Sequence, residues 1–201
     1  MKKIVSSAAL VAVLGVSCLA DSSDTQNLGL FFGASAGVGT GYVGYSADND
    51  KTYTFTDSSD LSTTDAKLYA GYKNWYGFMQ LGTLSPATKF MDDMDYTAFG
   101  IGYLSEVERW SFELGPINAV PEFNLGLGYD SVKGKGNDVF EASGLLVLVE
   151  GGLAFSLNDF KNLKITTDIG YDLHVVNQSG DNGGSWNFGA FKFNVGARYA
   201  F

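Results

Sequence analysis

His174 is the only histidine in the 201-residue chain, and imidazole is the one side chain that titrates near neutrality without help. Acyl chemistry would need a hydroxyl nucleophile within its reach. The residues that follow are Val175, Val176 and Asn177, and the nearest hydroxyl along the chain is Ser179. Spacing supports no Ser-His-acid set, so the expectation is a chain with no catalytic residues, in which His174 hydrogen-bonds the rim or a loop backbone. Metal chemistry has weak support. Asp48-Asn49-Asp50 starts like a calcium loop, but Tyr53 stands at the sixth position, where that loop requires glycine. Asp92, Asp93 and Asp95 form an acidic knot beside Met91 and Met94 that reads as solvated loop charge. The glycines at 33, 37, 39 and 41 lack the strand-loop-helix context of a phosphate loop. No metal and no cofactor are expected.

What remains is a set of charges that share a strand face. Lys67, Glu150, Lys164, Asp168, Asp172, Lys192 and Arg198 each alternate with apolar neighbours. The last eleven residues show the pattern best. Phe191, Phe193, Val195, Ala197, Tyr199 and Phe201 occupy the odd positions, and Lys192, Asn194, Gly196 and Arg198 the even ones. Period-2 alternation is the signature of a strand with one apolar and one polar face. The same alternation recurs over 28–45, 65–73, 75–84, 95–104, 123–130, 139–155 and 163–175, which makes eight strands. Residues 47–64, 85–94, 131–138 and 177–184 read as loops at one end. At the other end, short turns fall near Asn74 and at 158–161. Segment 105–121, with Pro116 and Pro121, reads as a long inner turn or a ragged start to the fifth strand. Ten strands would require one more to be found elsewhere.

The charges make sense if the polar face points into a closed lumen. An eight-stranded barrel is just wide enough for side chains to fill it, and buried charges must be paired to be tolerated. Folding the last two strands about 177–184 predicts Asp168 opposite Lys192. Folding the preceding pair about Asp159 puts Glu150 beside Asp168. A lumen charge cluster of Lys67, Glu150, Asp168, Lys192 and Arg198 follows. Glycines on the inward face of the first strand relieve crowding and argue mildly for an open lumen.

The apolar face would then look onto lipid. Residues Met1 to Lys3 are basic, Ile4 to Val16 are mostly apolar, and Cys18-Leu19-Ala20 offers a small-x-small cleavage site. The expected domains are a signal peptide over 1–20 and a barrel over 21–201. The rival is lipidation at Cys18, but Gly15 stands where that signal prefers leucine. The chain has 26 glycines, 29 aromatic residues and three prolines, which suits curved strands ringed by aromatics. Trp75, Trp110 and Trp186 are candidates for interface girdles. Formal charge is −9, or −11 without Lys2 and Lys3, which excludes nucleic-acid binding by bulk electrostatics.

These features resemble the OmpA/OmpX/opacity-type outer-membrane β-barrels. The most specific part of the likeness is the terminal strand, Val195-Gly-Ala-Arg-Tyr-Ala-Phe201. The resemblance implies an all-β, up-and-down transmembrane antiparallel barrel in the Gram-negative outer membrane, monomeric, with both termini periplasmic. It implies that Tyr199 and Phe201 are the assembly signal read by the barrel-assembly machinery. Its partners would be outer-membrane lipid, lipopolysaccharide and an unidentified extracellular ligand. It also implies a structural or surface-interaction role, porin-like in fold, with the lumen plugged. The alternative, by resemblance to OmpW-type barrels, is a narrow channel for small or apolar solutes. Lipid-A-modifying barrel enzymes resemble a His-x-Ser-Asn arrangement, and here Val176 replaces the serine.

Overall fold

The computed structural model describes residues 29–46, 52–55, 61–87, 92–135, 140–178 and 184–201. The signal-peptide segment lies outside the described residues, as do Asp48, Asp50 and Ser179. Ten strands follow in chain order: β1 (Leu30–Ser46), β2 (Thr52–Phe55), β3 (Leu61–Tyr72), β4 (Trp75–Pro86), β5 (Met94–Glu106), β6 (Phe112–Leu114), β7 (Ile117–Gly134), β8 (Glu141–Leu157), β9 (Phe160–Gln178) and β10 (Ser185–Ala200). Eight of them make the wall. β1, β3, β4, β5, β7, β8, β9 and β10 pair with their neighbours in sequence, all antiparallel, and β10 pairs back onto β1. Closure leaves the wall without an open edge, so every strand finds backbone partners on both sides.

The register fixes the width. From Ala34 the cross-strand partners run Leu68, Met79, Phe99, Tyr129, Leu145, Val175 and Asn187, and return to β1 at Gly44. That is ten residues beyond the start, so the strands tilt and the interior stays narrow. The residues on this path face outward, and most are apolar. Across the described wall, Phe32, Val38, Leu68, Leu81, Ile101, Leu127, Ile169 and Phe193 are likewise exposed. Alternate residues on the same strands are buried and combine polar and charged side chains with apolar ones.

Several sequence expectations need correction. Segment 47–64 is not all loop. β2 pairs with Val43 to Ser46, and β3 begins at Leu61, four residues earlier than its apolar pattern suggested. Segment 105–121 is neither a plain turn nor an independent wall strand. The chain leaves β5 at Glu106, makes a single 3-10 turn at Glu108–Trp110, and rejoins β7 through β6, with Phe112 opposite Ala119. The tip is Gly115-Pro116, and Gly115 takes φ +64, a conformation that glycine adopts without strain. β6 therefore prolongs the β5–β7 ladder, and the wall keeps an even strand number.

The predicted register was also displaced. Asp168 lies opposite Asn194, Lys192 opposite Gly170, and Glu150 opposite Gly170 on the other side. β9 continues to Gln178, and Asn177 still pairs with Ser185, so the hairpin's centre sits one residue later than assumed. A one-residue move of that centre shifts each cross-strand partner by two. The β8–β9 hairpin adds an irregularity between Ser156 and Leu157.

Candidate functional site: the lumen and its outer cap

The lumen is built from one inward row per strand, odd residues on β1 and β3 and even residues on the others. Near the end of the barrel that carries both chain termini, called its inner end here, Arg198 of β10 bridges Glu106 of β5 and Glu122 of β7, the latter at 2.7 Å. Lys164 of β9 takes the other oxygen of Glu106. One step outward, Lys67 of β3 donates to both oxygens of Glu150 on β8, at 2.8 and 2.5 Å. Asn194 adds a donor to Glu150 at 3.0 Å, Asn124 adds another, and the Tyr76 hydroxyl donates to Asn124. Further out, Lys192 sits between Asp65 and Asp172, the second at 2.6 Å. Gln80 of β4 reaches Asp172 at 3.0 Å and the Tyr96 hydroxyl at 2.9 Å. The pairs β5–β10, β3–β8 and β4–β9 are diametrically opposed in the strand order. The Arg198–Glu106, Lys67–Glu150 and Gln80–Asp172 bonds therefore cross the full width of the barrel.

Of the five residues expected to cluster, Lys67 and Glu150 meet directly. Lys192 and Arg198 each pair with other acids, and Asp168 does not pair with Lys192. Asp168 is buried, and its Oδ1 has no hydrogen-bond partner. Glu106, Glu122, Asp65 and Asp130 are the partners that sequence reasoning missed. Parity could have found two of them, because Glu122 and Asp130 alternate with Phe123, Leu125, Leu127 and Tyr129 along β7.

His174 also has a partner that was not foreseen. Its Nδ1 lies 2.6 Å from Asp130 Oδ2, and its ring stands edge-on to Tyr96 at 4.7 Å between centroids. Both members of the pair are fully buried, at 1% and 0% side-chain exposure. The expected bond to the rim or a loop backbone is therefore replaced by a bond to a carboxylate on β7, two wall strands away.

Immediately outward of this pair the lumen changes character. Val43, Leu61, Leu84, Met94, Val132, Ala142, Val176 and Phe188 form one buried apolar cluster. Each comes from a different wall strand, so the cluster is a complete ring. Trp186 stacks on Phe188 at 6.3 Å and 6° between planes, and its Nε1 donates to Gln178. Trp186 thus packs on the cap rather than in an outer girdle, whereas Trp75 and Trp110 are exposed.

The glycines of β1 do not open the lumen. A Cβ on Gly39 would lie 2.6 Å from Lys192 Cγ and 2.8 Å from Thr63 Oγ1. The missing side chain is space already filled by the neighbouring lysine. At the outer rim, Asp95 of the acidic knot pairs with Lys135 at 2.8 Å, with both side chains solvated. At the inner end, Tyr199 and Phe201 face outward and cluster with Phe32, with centroids 5.1 to 6.0 Å apart.

No family model matches this chain, and no curated protein matches it. Solved structures do. The outer membrane protein OprG from Pseudomonas aeruginosa superposes with a TM-score of 0.55 at 12% identity, over 89% of this chain and 98% of that one. The fold is that of the small outer-membrane β-barrels. AlkL, solved in DMPC bilayers, matches at TM-score 0.47 and 15% identity over 87% of this barrel and 91% of its own chain. Neisserial surface protein A matches at 0.42 and 15%, over 86% and 99%.

Proposed function

We propose that this chain is an integral outer-membrane barrel, monomeric and with both termini periplasmic, that holds surface loops on a closed and rigid scaffold. The observation that carries this reading is the lumen itself, crossed by ion pairs over its full diameter and capped by a ring with one apolar residue from every wall strand. A passage for hydrated solutes needs a continuous polar path, and the ring interrupts it. The role is then structural or one of surface interaction, with lipopolysaccharide and an extracellular ligand as partners of the loops.

A second reading, a narrow route for small apolar solutes, is favoured by the same ring, because its lining would accept an apolar molecule. Proteoliposome swelling with sugars and amino acids, set beside uptake of an apolar tracer, separates the two. The scaffold reading expects neither to rise above protein-free vesicles, and tracer uptake alone would favour the second.

Catalysis is not part of either reading. His174 and Asp130 lie beneath the apolar ring, out of reach of a lipid substrate. Purified protein should release no fatty acid from lipopolysaccharide. Release that disappears in His174→Ala would move the chain to the enzymes.

Tyr199 and Phe201 serve in this reading as the signal for the barrel-assembly machinery, standing at the inner interface with Phe32. Deleting Phe201 should sharply reduce the heat-modifiable folded form in the outer membrane while leaving export intact. Undiminished folded protein would remove that role.

A further inference from the structure

The outward face of the wall is not equally apolar all the way round. On β7 every outward position from Ile117 to Tyr129 is aliphatic, aromatic or proline, and on β8 every one from Leu145 to Leu157 is aliphatic, aromatic or glycine. Each run spans 13 residues. On β3 the run is only Ala66 to Tyr72, on β4 Trp75 to Leu81 and on β5 Phe99 to Tyr103, which is seven, seven and five residues. A tilted strand needs about 9–11 residues to cross the hydrocarbon of a bilayer. β7 and β8 exceed that span, while β3, β4 and β5 fall short of it.

The register allows heights to be compared. A row of cross-strand partners climbs ten residues in one circuit of eight strands, so a level line falls back about 1.25 residues per strand. From Thr64 the row runs through Thr83 to Asp95, which makes Thr97 level with Thr64. From Thr97 it runs through Ser131 and Ser143 to Asn177, which makes Leu145 and Leu173 level with Thr97. At the inner end, Trp75 is level with Leu153, and the apolar face of β8 continues four residues further, to Leu157. The β3–β5 face is therefore short at both ends. Tilting the barrel would move both its ends in the same direction and cannot correct that.

What borders the short face is polar. At the inner end the β3–β4 turn is Lys73-Asn74, with Lys73 exposed. At the outer end lies an indentation of about 530 Å³, whose lining includes Thr64, Ala66, Thr83, Asp95 and Thr97. Thr83 Oγ1 donates to Asp95 at 2.9 Å, and Lys135 Nζ donates to Thr83 at 3.3 Å. Hydroxyls and an ion pair that face outward are costly against acyl chains and are satisfied by water and headgroups.

We propose that the bilayer thins along the β3–β5 face and that lipid headgroups, with their water, occupy the indentation at its outer end. Thinning is one way a bilayer meets an apolar surface shorter than its own hydrocarbon. Thr64, Thr83, Thr97 and Asp95 then meet the polar part of the membrane's own lipid, while acyl chains cover β8 and β9 at the same height. The barrel imposes a step in thickness on its lipid shell. This rests on the reading of the chain as a membrane-spanning barrel, and it holds whether or not the lumen conducts.

The experiment uses the unmodified protein, isotope-labelled, in nanodiscs of palmitoyl-oleoyl-phosphatidylcholine. Amide relaxation is measured by nuclear magnetic resonance with a gadolinium chelate in the water, and separately with a nitroxide on the lipid chains. The amides of Thr64, Thr83 and Thr97 should be relaxed several-fold more by gadolinium than those of Leu145 and Leu173, and the order should reverse with the nitroxide lipid. At the inner end, Tyr72 and Trp75 should side with water and Leu153 with lipid. Equal behaviour of the residues at one height would mean an even belt and overturns the proposal. Shielding of the β3–β5 amides from both agents would mean that a second copy covers this face, and overturns it as well. Gadolinium access at Leu145, Leu153 and Leu173 alike would deny the belt itself, and with it the membrane-spanning reading.

Discussion

The charged inner lumen and the apolar outer ring stand on the same strands and on the same inward rows, yet they are made of opposite chemistries. Two residues along β7 separate Asp130 from Val132, and two along β9 separate His174 from Val176. On β10 the change runs from Lys192 through Ala190 to Phe188. Strand alternation therefore sets which side chains point inward, and height along the barrel sets what they must be. In the inner region the paired charges meet particular partners at fixed directions, and loss of such a partner leaves a buried charge. In the ring, the contacts are non-directional, and what matters is that the volume is filled. The two regions close the lumen by different means, and substitutions should tell them apart.

The largest effect is expected at Arg198, which serves two carboxylates at 2% side-chain exposure. Arg198→Ala should cost roughly 3–5 kcal/mol in urea unfolding, because Glu106 and Glu122 would lose their shared cation. Arg198→Lys should recover only part of this, since both bonds come from the single nitrogen Nη2 at the tip of the longer arginine side chain. A full rescue by lysine would show that charge alone, not direction, holds this region.

In the ring the conservative swap should succeed. Leu84→Ala should cost roughly 2–5 kcal/mol through the cavity it leaves, while Leu84→Met should cost less than about 1.5 kcal/mol. Equal losses for the two would mean that the ring, too, depends on specific shape.

The smallest effect is a coupling. Lys192→Met and Asp172→Asn share one ion pair at 2.6 Å, so their double mutant should deviate from additivity by about 0.5–3 kcal/mol. Lys192→Met and Asp168→Asn have no contact and should add within about 0.5 kcal/mol. Coupling of the second pair instead of the first would restore the register predicted from the hairpin centres.

Much of this architecture can be read from residue order. The alternation in β10, from Phe191 to Phe201, gives both its faces, and parity settles eight wall strands despite the irregular segment after Glu106. Lys67, Glu150, Lys192 and Arg198 are recognisable as lumenal because each interrupts an apolar row at period two. Their partners are not, because pairing across the diameter joins β3 to β8 and β5 to β10, and no local spacing encodes that distance. Asp130 and His174 lie 44 residues apart and meet because β8 sets β7 and β9 two strands apart on a wall that curves inward. The apolar ring escapes sequence reasoning for a related reason. Val132, Val176 and Leu84 each look like an ordinary strand end beside a loop, and only the register brings them to one level.

A closed lumen passes no ions, and ion conductance across a planar bilayer tests that most directly. Purified wild-type protein, inserted and verified as folded, should show no stepwise current in concentrated salt at moderate voltage. Reproducible unitary steps from the wild type, with a size independent of the preparation, would contradict the closed lumen and replace the scaffold with a channel.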